Sequence, residues 1–184
     1  MERYDSLRTC DDVRALSHGV GESLTLDYKE KLGSRRDLAA DVCALANTQG
    51  GVLVVRVKDP EPEGSPPKDP GDFSGVPVEA DLVHRVESQL LDAISPRVFP
   101  RIRTTEDAYE QDAVERRFLL IEVPASSQLH QVTVQRDFKF YRRAEYQNRA
   151  MTADEVQLRV EASLAARRGT SAILEEELAR LGPV

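Results

Sequence analysis

The chain has 184 residues, of which 40% are hydrophobic and 31% are charged, and its formal net charge is −7 at pH 7. This composition is typical of one soluble domain that is large enough to bury a hydrophobic core. The acidic balance argues against a dedicated nucleic-acid-binding protein, although a net charge says nothing about local basic patches. The sequence has no membrane-spanning apolar run and no signal-peptide pattern, and Cys10 and Cys43 lack a paired spacing. We therefore expect a cytoplasmic protein without membrane contacts.

The first half of the chain predicts a helix followed by a strand–helix–strand unit. Residues 1–20 have the pattern of a short helix. Residues 24–29 alternate apolar and polar side chains, as a half-buried strand does. Residues 34–46 begin with a Ser-x-x-Asp capping pattern and end before Asn-Thr-Gln-Gly-Gly, where glycine permits a turn. Residues 52–57 are nearly all apolar and β-branched, which predicts a strand covered on both faces.

The second half begins with a proline-rich segment and then predicts further strands and helices. Residues 60–77 contain six prolines and three glycines, which indicates a surface loop. The elements predicted after it are a helix at 79–94, a strand at 98–103, a hairpin-like connection at 105–116, and strands at 118–123, 131–135 and 138–143, with a turn near Asp137. A further helix is predicted to begin at a Thr152–Glu155 capping box, to bury Val156, Val160 and Leu164, and to end at 167–169. A last helix is predicted at 171–181.

The order of these elements predicts the fold class. Strands that alternate with helices early in the chain and pair with each other later are typical of an α+β fold, with helices packed on a mixed β-sheet. We divide the chain into an N-terminal helical segment at 1–20, a main domain at 21–168 and a C-terminal helix at 169–184.

Three carboxylates lie near the ends of elements that are expected to pack together: Glu22, Asp27 and Asp59. Converging carboxylates suit Mg²⁺ or Mn²⁺, and such a metal activates water and offsets charge on a phosphodiester. Glu22 and Asp27 have an odd spacing, so they converge only if Glu22 lies in a bend before the strand. Lys29 shares a strand face with Asp27 and is placed to contact a phosphate or a leaving oxygen. The alternative is that these acids are surface residues, with Asp27 paired to Lys29.

Two groups of basic residues are candidates for binding phosphate. Arg35 and Arg36 occupy the first turn of a predicted helix, where a bound anion would relieve their unfavourable interaction with the helix dipole. The second group interleaves arginines with tyrosines, which are the residue types of phosphate clamps and base-stacking platforms. Its members are Tyr141, Arg142, Arg143, Tyr146 and Arg149. The alternative for this group is an ordinary solvated strand end with a salt bridge to Glu145.

Taken together, these motifs resemble the Schlafen-type AlbA-like domain over roughly residues 20–155. The sequence departs from the family pattern at Asp27, where the nucleases carry glutamate, and at Arg56 and Ala144, where glycine is usual. The resemblance rests on Glu22-x4-Asp27-Tyr28-Lys29, on Ala46-Asn47-Thr48-Gln49-Gly50-Gly51, on the apolar strand that ends in Asp59, and on Phe140-Tyr141-Arg142-Arg143 with Asn148 beyond it.

The resemblance implies an α+β domain that binds RNA or DNA. Bacterial members often occur in transcriptional regulators, and in animal Schlafen proteins two such lobes form a clamp that binds tRNA. Some members cleave RNA with three carboxylates and a divalent metal. The resemblance therefore implies that Glu22, Asp27 and Asp59 hold Mg²⁺ or Mn²⁺ beside Lys29, and that nucleic acid contacts Arg35, Arg36, Tyr141, Arg142, Arg143 and Arg149.

Two functions follow as hypotheses. The first is a nucleic-acid-binding protein and, in its finer form, a metal-dependent endoribonuclease that acts on tRNA or another structured RNA. The alternative is a catalytically inactive transcription-regulator or adaptor domain that acts through DNA or protein contacts, which the acidic balance and the charged segment 175–177 favour. We also predict a homodimer, because one short basic patch holds few phosphates and the last helix has an apolar stripe. The stripe consists of Ile173, Leu174, Leu178 and Leu181.

Overall fold

The structure, a computed structural model, describes residues 4–57 and 73–181, apart from the side chains of residue 167 and residues 169–181. It confirms the predicted α+β class. The helices are α1 (Cys10–Gly19), α2 (Arg35–Ala46), α3 (Leu82–Leu91) and α4 (Ala153–Leu181). The strands are β1 (Leu26–Lys29), β2 (Gly51–Val55), β3 (Val76–Pro77), β4 (Ile94–Ser95), β5 (Arg101–Thr104), β6 (Tyr109–Gln111), β7 (Val114–Arg117), β8 (Leu119–Val123), β9 (Gln131–Val132), β10 (Tyr141–Ala144) and β11 (Gln147–Ala150).

The central sheet has four strands in the order β1-β2-β8-β5. Strands β1 and β2 run parallel, because α2 returns the chain to the end of the sheet where β1 began. Strand β8 pairs antiparallel with both β2 and β5. Strand β1 is therefore an edge of this sheet, with one neighbour.

Helices cover both faces of the central sheet, as the apolar run at 52–57 predicted. Leu53 and Val55 of β2 pack in one core with α2 and α3, whereas Val52 and Val54 pack in a second core with α1. This alternation follows from the two-residue period of a strand. In β1 the same period places the apolar residues at 26 and 28 in the second core, so the polar residues at 27 and 29 lie on the α2 side.

The turn between α2 and β2 explains the paired glycines. Gly50 and Gly51 have φ values of +70° and +145°. A Cβ atom on Gly51 would lie 2.2 Å from the carbonyl oxygen of Thr25, so only glycine lets β1 and β2 begin side by side. Just beyond β2, Arg56 has a φ of 72°. This left-handed conformation is the reason that glycine suits the position, and arginine adopts it at a steric cost.

The antiparallel ribbon formed by β10 and β11 packs against α2 and leads into α4. The predicted capping box is confirmed, because the Thr152 N–H donates to Glu155 Oε2 at 2.9 Å and the Glu155 N–H donates to Thr152 Oγ1 at 3.3 Å. Strand β11 has no counterpart among the predicted elements. In the described ranges, no helix is both long enough and apolar enough to cross a membrane.

Helix α4 differs from its prediction in two respects. It continues to Leu181, so the predicted end at 167–169 and the separate helix at 171–181 are wrong. A single glycine costs a helix only about 1 kcal/mol, and the arginines before it are good helix formers. The predicted burial is wrong at Val160 and Leu164, which are 42% and 46% exposed, whereas Val156 is half-buried. The helix uses a different face to contact the domain.

Candidate functional site

A buried cluster of charged side chains lies on the α2 side of the edge strand β1. Asp27 of β1 is almost completely buried, and its Oδ2 lies 2.9 Å from Lys29 Nζ. The same ammonium group lies 3.0 Å from Oδ1 of Asp41, which is in α2. Lys29 thus bridges two carboxylates. The pairing of Asp27 with Lys29, which the sequence left open as part of an alternative, is confirmed, but the surface position that this alternative gave to Asp27 is wrong.

Arg143 of β10 enters this cluster from the ribbon. Its side chain is 1% exposed, and its Nη1 lies 3.3 Å from Asp27 Oδ1. Its Nη2 donates to the carbonyl oxygen of Ser23 at 3.1 Å and lies 4.0 Å from Glu22 Oε2. The predicted contact of Arg143 with nucleic acid is therefore not supported by its placement. The guanidinium group faces the protein interior and neutralises the acids there.

The ribbon explains why neighbouring arginines face opposite ways. Arg143 pairs in register with Asn148 across the ribbon, and directly paired residues project from the same face. Asn148 accepts a hydrogen bond from Arg143 Nη1 at 3.2 Å and donates its amide to Asp41. Arg142 is one residue away, so it projects from the opposite face. The inner face of the ribbon therefore completes the charge cluster.

Burial and charge shift the ionisation of two members of the cluster. Burial raises the pKa of Asp41 to about 6; Lys29 opposes this rise, and the nearby Asp27 carboxylate adds to it. Burial acts to lower the pKa of Lys29, but the carboxylates of Asp41 and Asp27 outweigh it and raise that pKa above its ordinary value. Lys29 is therefore held in its charged form between the two acids.

Glu22 lies before β1, and the chain bends between them at residues 24–25, as the convergence of Glu22 with Asp27 requires. Its Oε1 accepts a hydrogen bond from the backbone N–H of Tyr28 at 3.0 Å. This N–H belongs to the edge strand, so the Glu22 side chain satisfies a donor that no neighbouring strand reaches. Glu22 and Asp27 then share Arg143 as a common positive partner.

The described residues of the cluster do not fit a divalent metal. Both oxygens of Asp27 already face cations, Arg143 on one side and Lys29 on the other. A metal ion would have to displace one of these buried positive groups. Within residues 4–57 and 73–181, no three His, Cys, Asp or Glu side chains gather as a metal site. Asp59 lies outside the described residues, so its place in the predicted metal site remains a prediction.

An open groove of about 840 Å³ runs between α4 and the outer face of the ribbon. Four arginines contribute to its lining: Arg142 and the largely buried Arg143 of β10, Arg149 of β11 and Arg159 of α4. The apolar residues of the lining are Leu24, Ala144, Met151, Leu158 and Ala162. Two acids, Glu145 and Glu155, and the polar residues that follow α2 complete the lining.

Arg142 and Arg149 are directly paired across the ribbon and project from its outer face. Like charges placed opposite each other in a sheet are unfavourable, so this pair needs anionic partners. Glu155 provides one, since its Oε1 lies 2.7 Å from Arg142 Nη2. The predicted salt-bridge partner, Glu145, is not the residue used. Arg149 is exposed at the groove.

Helix α4 forms the other wall of the groove with one face. The residues at 155, 158, 159 and 162 line the groove, and this spacing of three and four residues is one side of a helix. Arg159 Nη2 also donates to the carbonyl oxygen of Ser126 at 3.0 Å, which attaches the helix to the domain. The contact face thus lies beside the predicted one, which explains the exposure of Val160 and Leu164.

Three residues predicted to contact nucleic acid lie away from the groove. Arg35 Nε donates to the carbonyl oxygen of Gln89 at 2.8 Å. Arg36 Nε lies 2.7 Å from Asp137 Oδ2, and Arg36 Nη2 donates to the Tyr141 hydroxyl at 2.8 Å. Tyr141 is buried, so its ring is not a stacking platform. Arg35 and Arg36 lie at the start of α2, whereas the groove borders its end, about 18 Å away for a helix of this length.

Three of the residues involved were not predicted from the sequence. Asp41 and its amide partner Asn148 belong to the charge cluster, and Arg159 belongs to the groove. Asp41 has no local pattern that separates it from a surface acid. Arg159 carries a usable signal, because it is four residues after the capping Glu155 and so shares its helix face.

The fold and the groove define a small α+β domain with an arginine-lined surface, an arrangement suited to binding polyanions. The family model for Schlafen, AlbA_2 matches residues 22–152, which is most of the chain, and the chain belongs to this family. Membership supports a nucleic-acid-binding role. A comparison with curated proteins found no match. The matched range contains the charge cluster and the ribbon but stops where α4 begins, so one wall of the groove lies outside it.

Proposed function

We propose that this protein binds nucleic acid in the groove between α4 and the β10–β11 ribbon. Arg142, Arg149 and Arg159 contact the phosphates. The observation that carries the proposal is the cross-strand pair of Arg142 and Arg149, because two facing cations at a groove favour a bound polyanion. Family membership supports the same role.

The acidic total charge agrees with a localised site. With a net charge of −7, most of the surface repels a polyanion, so binding depends on the few arginines of the groove. Arg142 is held by Glu155, which also caps α4, so a phosphate competes with this carboxylate for the guanidinium. We therefore expect modest affinity at physiological salt.

Fluorescence anisotropy with labelled RNA and DNA oligonucleotides tests the proposal. We expect the logarithm of the binding constant to fall with the logarithm of salt concentration, with a slope of about −0.7 to −0.9 per phosphate contacted. The double variant Arg142→Ala, Arg149→Ala is expected to weaken binding for all sequences and to make the slope shallower. The matched control is Arg85→Ala, Arg97→Ala, which removes two half-exposed arginines that pair with surface acids elsewhere. Equal effects of the two double variants would contradict the groove as the binding site.

We propose that binding does not lead to cleavage through Glu22 and Asp27. The support is the pairing of their carboxylates with Arg143 and Lys29, which leaves the acids engaged as structural partners. This is the catalytically inactive alternative drawn from the sequence. Incubation of tRNA, single-stranded RNA and DNA with and without Mn²⁺ tests it, and no metal-dependent products are expected. Cleavage that Asp27→Asn abolishes would restore the endoribonuclease prediction.

A homodimer also remains a proposal. The side chains of its predicted apolar stripe lie outside the described ones, but Val160 and Leu164 are exposed on the same helix. A symmetric pair would double the number of phosphates held. Light scattering at micromolar concentration decides the question, because a dimer has twice the 20.5 kDa of one chain and a monomer does not.

A further inference from the structure

We infer that the groove takes a single nucleic-acid strand with unpaired bases in preference to a duplex, an inference that rests on the proposed function. Its basis is the chemistry of the groove lining. The groove combines solvent-accessible arginines, such as Arg142 and Arg149 of the ribbon, with exposed apolar side chains, such as Leu158 of α4 and Leu24. Phosphates suit the arginines, and a ligand with accessible apolar surface suits the leucines.

Two leucines of the groove are exposed to solvent. Leu158 is 66% exposed and Leu24 is 36% exposed, and both line the groove with Met151. In a duplex the faces of the bases are stacked inside, so a duplex offers phosphates and leaves these leucines in water. A single strand offers the base faces as well as the phosphates. The arginines and the leucines are then covered by one ligand.

An exposed tyrosine lies at the end of the same ribbon. Tyr146 is at the tip between β10 and β11 and is 69% exposed. It follows Glu145, whose φ of 56° helps to reverse the chain and which itself lines the groove. Aromatic rings next to arginines act as stacking surfaces for unpaired bases. Tyr146 therefore stacks on a base at one end of the groove.

The polar residues that follow α2 contribute hydrogen-bonding groups. Gln49 is exposed and lines the groove, and its amide can both donate to and accept from the edge of a base. Base edges are free for such contacts only in an unpaired strand. The groove volume of about 840 Å³ is within the range of ligand pockets, which suits a short segment of strand.

The test compares one labelled strand with the same strand annealed to its complement, as RNA and as DNA, by anisotropy at fixed salt. We expect the single strand to bind at least about tenfold more tightly. Tyr146→Ala is expected to weaken single-strand binding about tenfold, the loss of one stacked base, and Leu158→Ala to weaken it by less; both should weaken single-strand binding more than duplex binding. Both side chains are exposed, so neither variant should affect folding.

Matched controls are Phe99→Ala and Leu91→Ala, which remove exposed apolar side chains away from the groove and should change nothing. Equal or tighter duplex binding that still depends on Arg142 and Arg149 would overturn this inference and leave the proposed function standing. If neither the single strand nor the duplex binds, the proposed function itself is overturned.

Discussion

Replacement of Arg143 by methionine tests the central assignment, that this arginine is structural while the adjacent Arg142 binds. Methionine keeps much of the length of the side chain and removes the charge. In the variant, the buried carboxylates of Asp27 and Glu22 lose their shared positive partner. Loss of one partner from a buried ion pair costs about 3–5 kcal/mol, and here Asp27 is left in the interior with Lys29 as its remaining cation. That is a large part of the 5–15 kcal/mol that is typical for a folded domain.

The measurement is the free energy of unfolding from urea titrations followed by circular dichroism. The matched variant is Arg142→Met, whose side chain is 37% exposed and paired with an acid that is 33% exposed. A surface pair of this kind contributes less than about 1 kcal/mol. We therefore expect a large loss of stability from Arg143→Met and a small one from Arg142→Met. Addition of Asp27→Asn to Arg143→Met should recover part of the loss, because it removes one of the negative charges that Arg143 neutralised.

The reasoning is refuted if Arg143→Met costs no more than Arg142→Met. It is also refuted if Arg143→Met weakens nucleic-acid binding while the protein keeps full stability. Either result would mean that the ribbon presents Arg143 to solvent, and that the two faces of the ribbon are exchanged relative to β1.

Three further predictions concern the residues around the cluster. Because Asp41 has a pKa raised from 3.8 to about 6 in the folded state, its stabilising contribution is fully present below pH 3.8 and is lost as the pH rises through 6. Relative to Asp41→Asn, the wild type should lose about 3 kcal/mol between about pH 3 and about pH 7, and parallel stability curves would contradict this. Gly51→Ala should cost more than about 2 kcal/mol in urea titrations, whereas Gly21→Ala, where nothing lies within 4 Å of a new Cβ, should be nearly neutral. Asn47→Ala removes three buried hydrogen bonds to backbone groups and should lower the free energy of unfolding by about 3 kcal/mol, and a change below 1 kcal/mol would show that water replaces the amide.

The sequence alone determined the features that depend on neighbouring residues. The capping patterns at Ser34 and Thr152 place the starts of α2 and α4, because a cap is a contact between residues three apart. The apolar run at 52–57 indicated a strand covered on both faces, and the paired glycines indicated the turn before it. These signals depend only on neighbouring residues, so they can be recognised without knowledge of the rest of the fold.

The tertiary structure decided which side of each element faces inward. The two-residue period of a strand requires Arg142 and Arg143 to point in opposite directions, but it does not say which one meets Asp27. That choice depends on how the ribbon packs against α2 and β1, through contacts more than 100 residues apart in sequence, such as Arg143 with Ser23. The face that α4 uses was undetermined for the same reason. The apolar residues of α4 fit more than one helical stripe. Only the position of the ribbon decided that the side with Leu158 faces the groove.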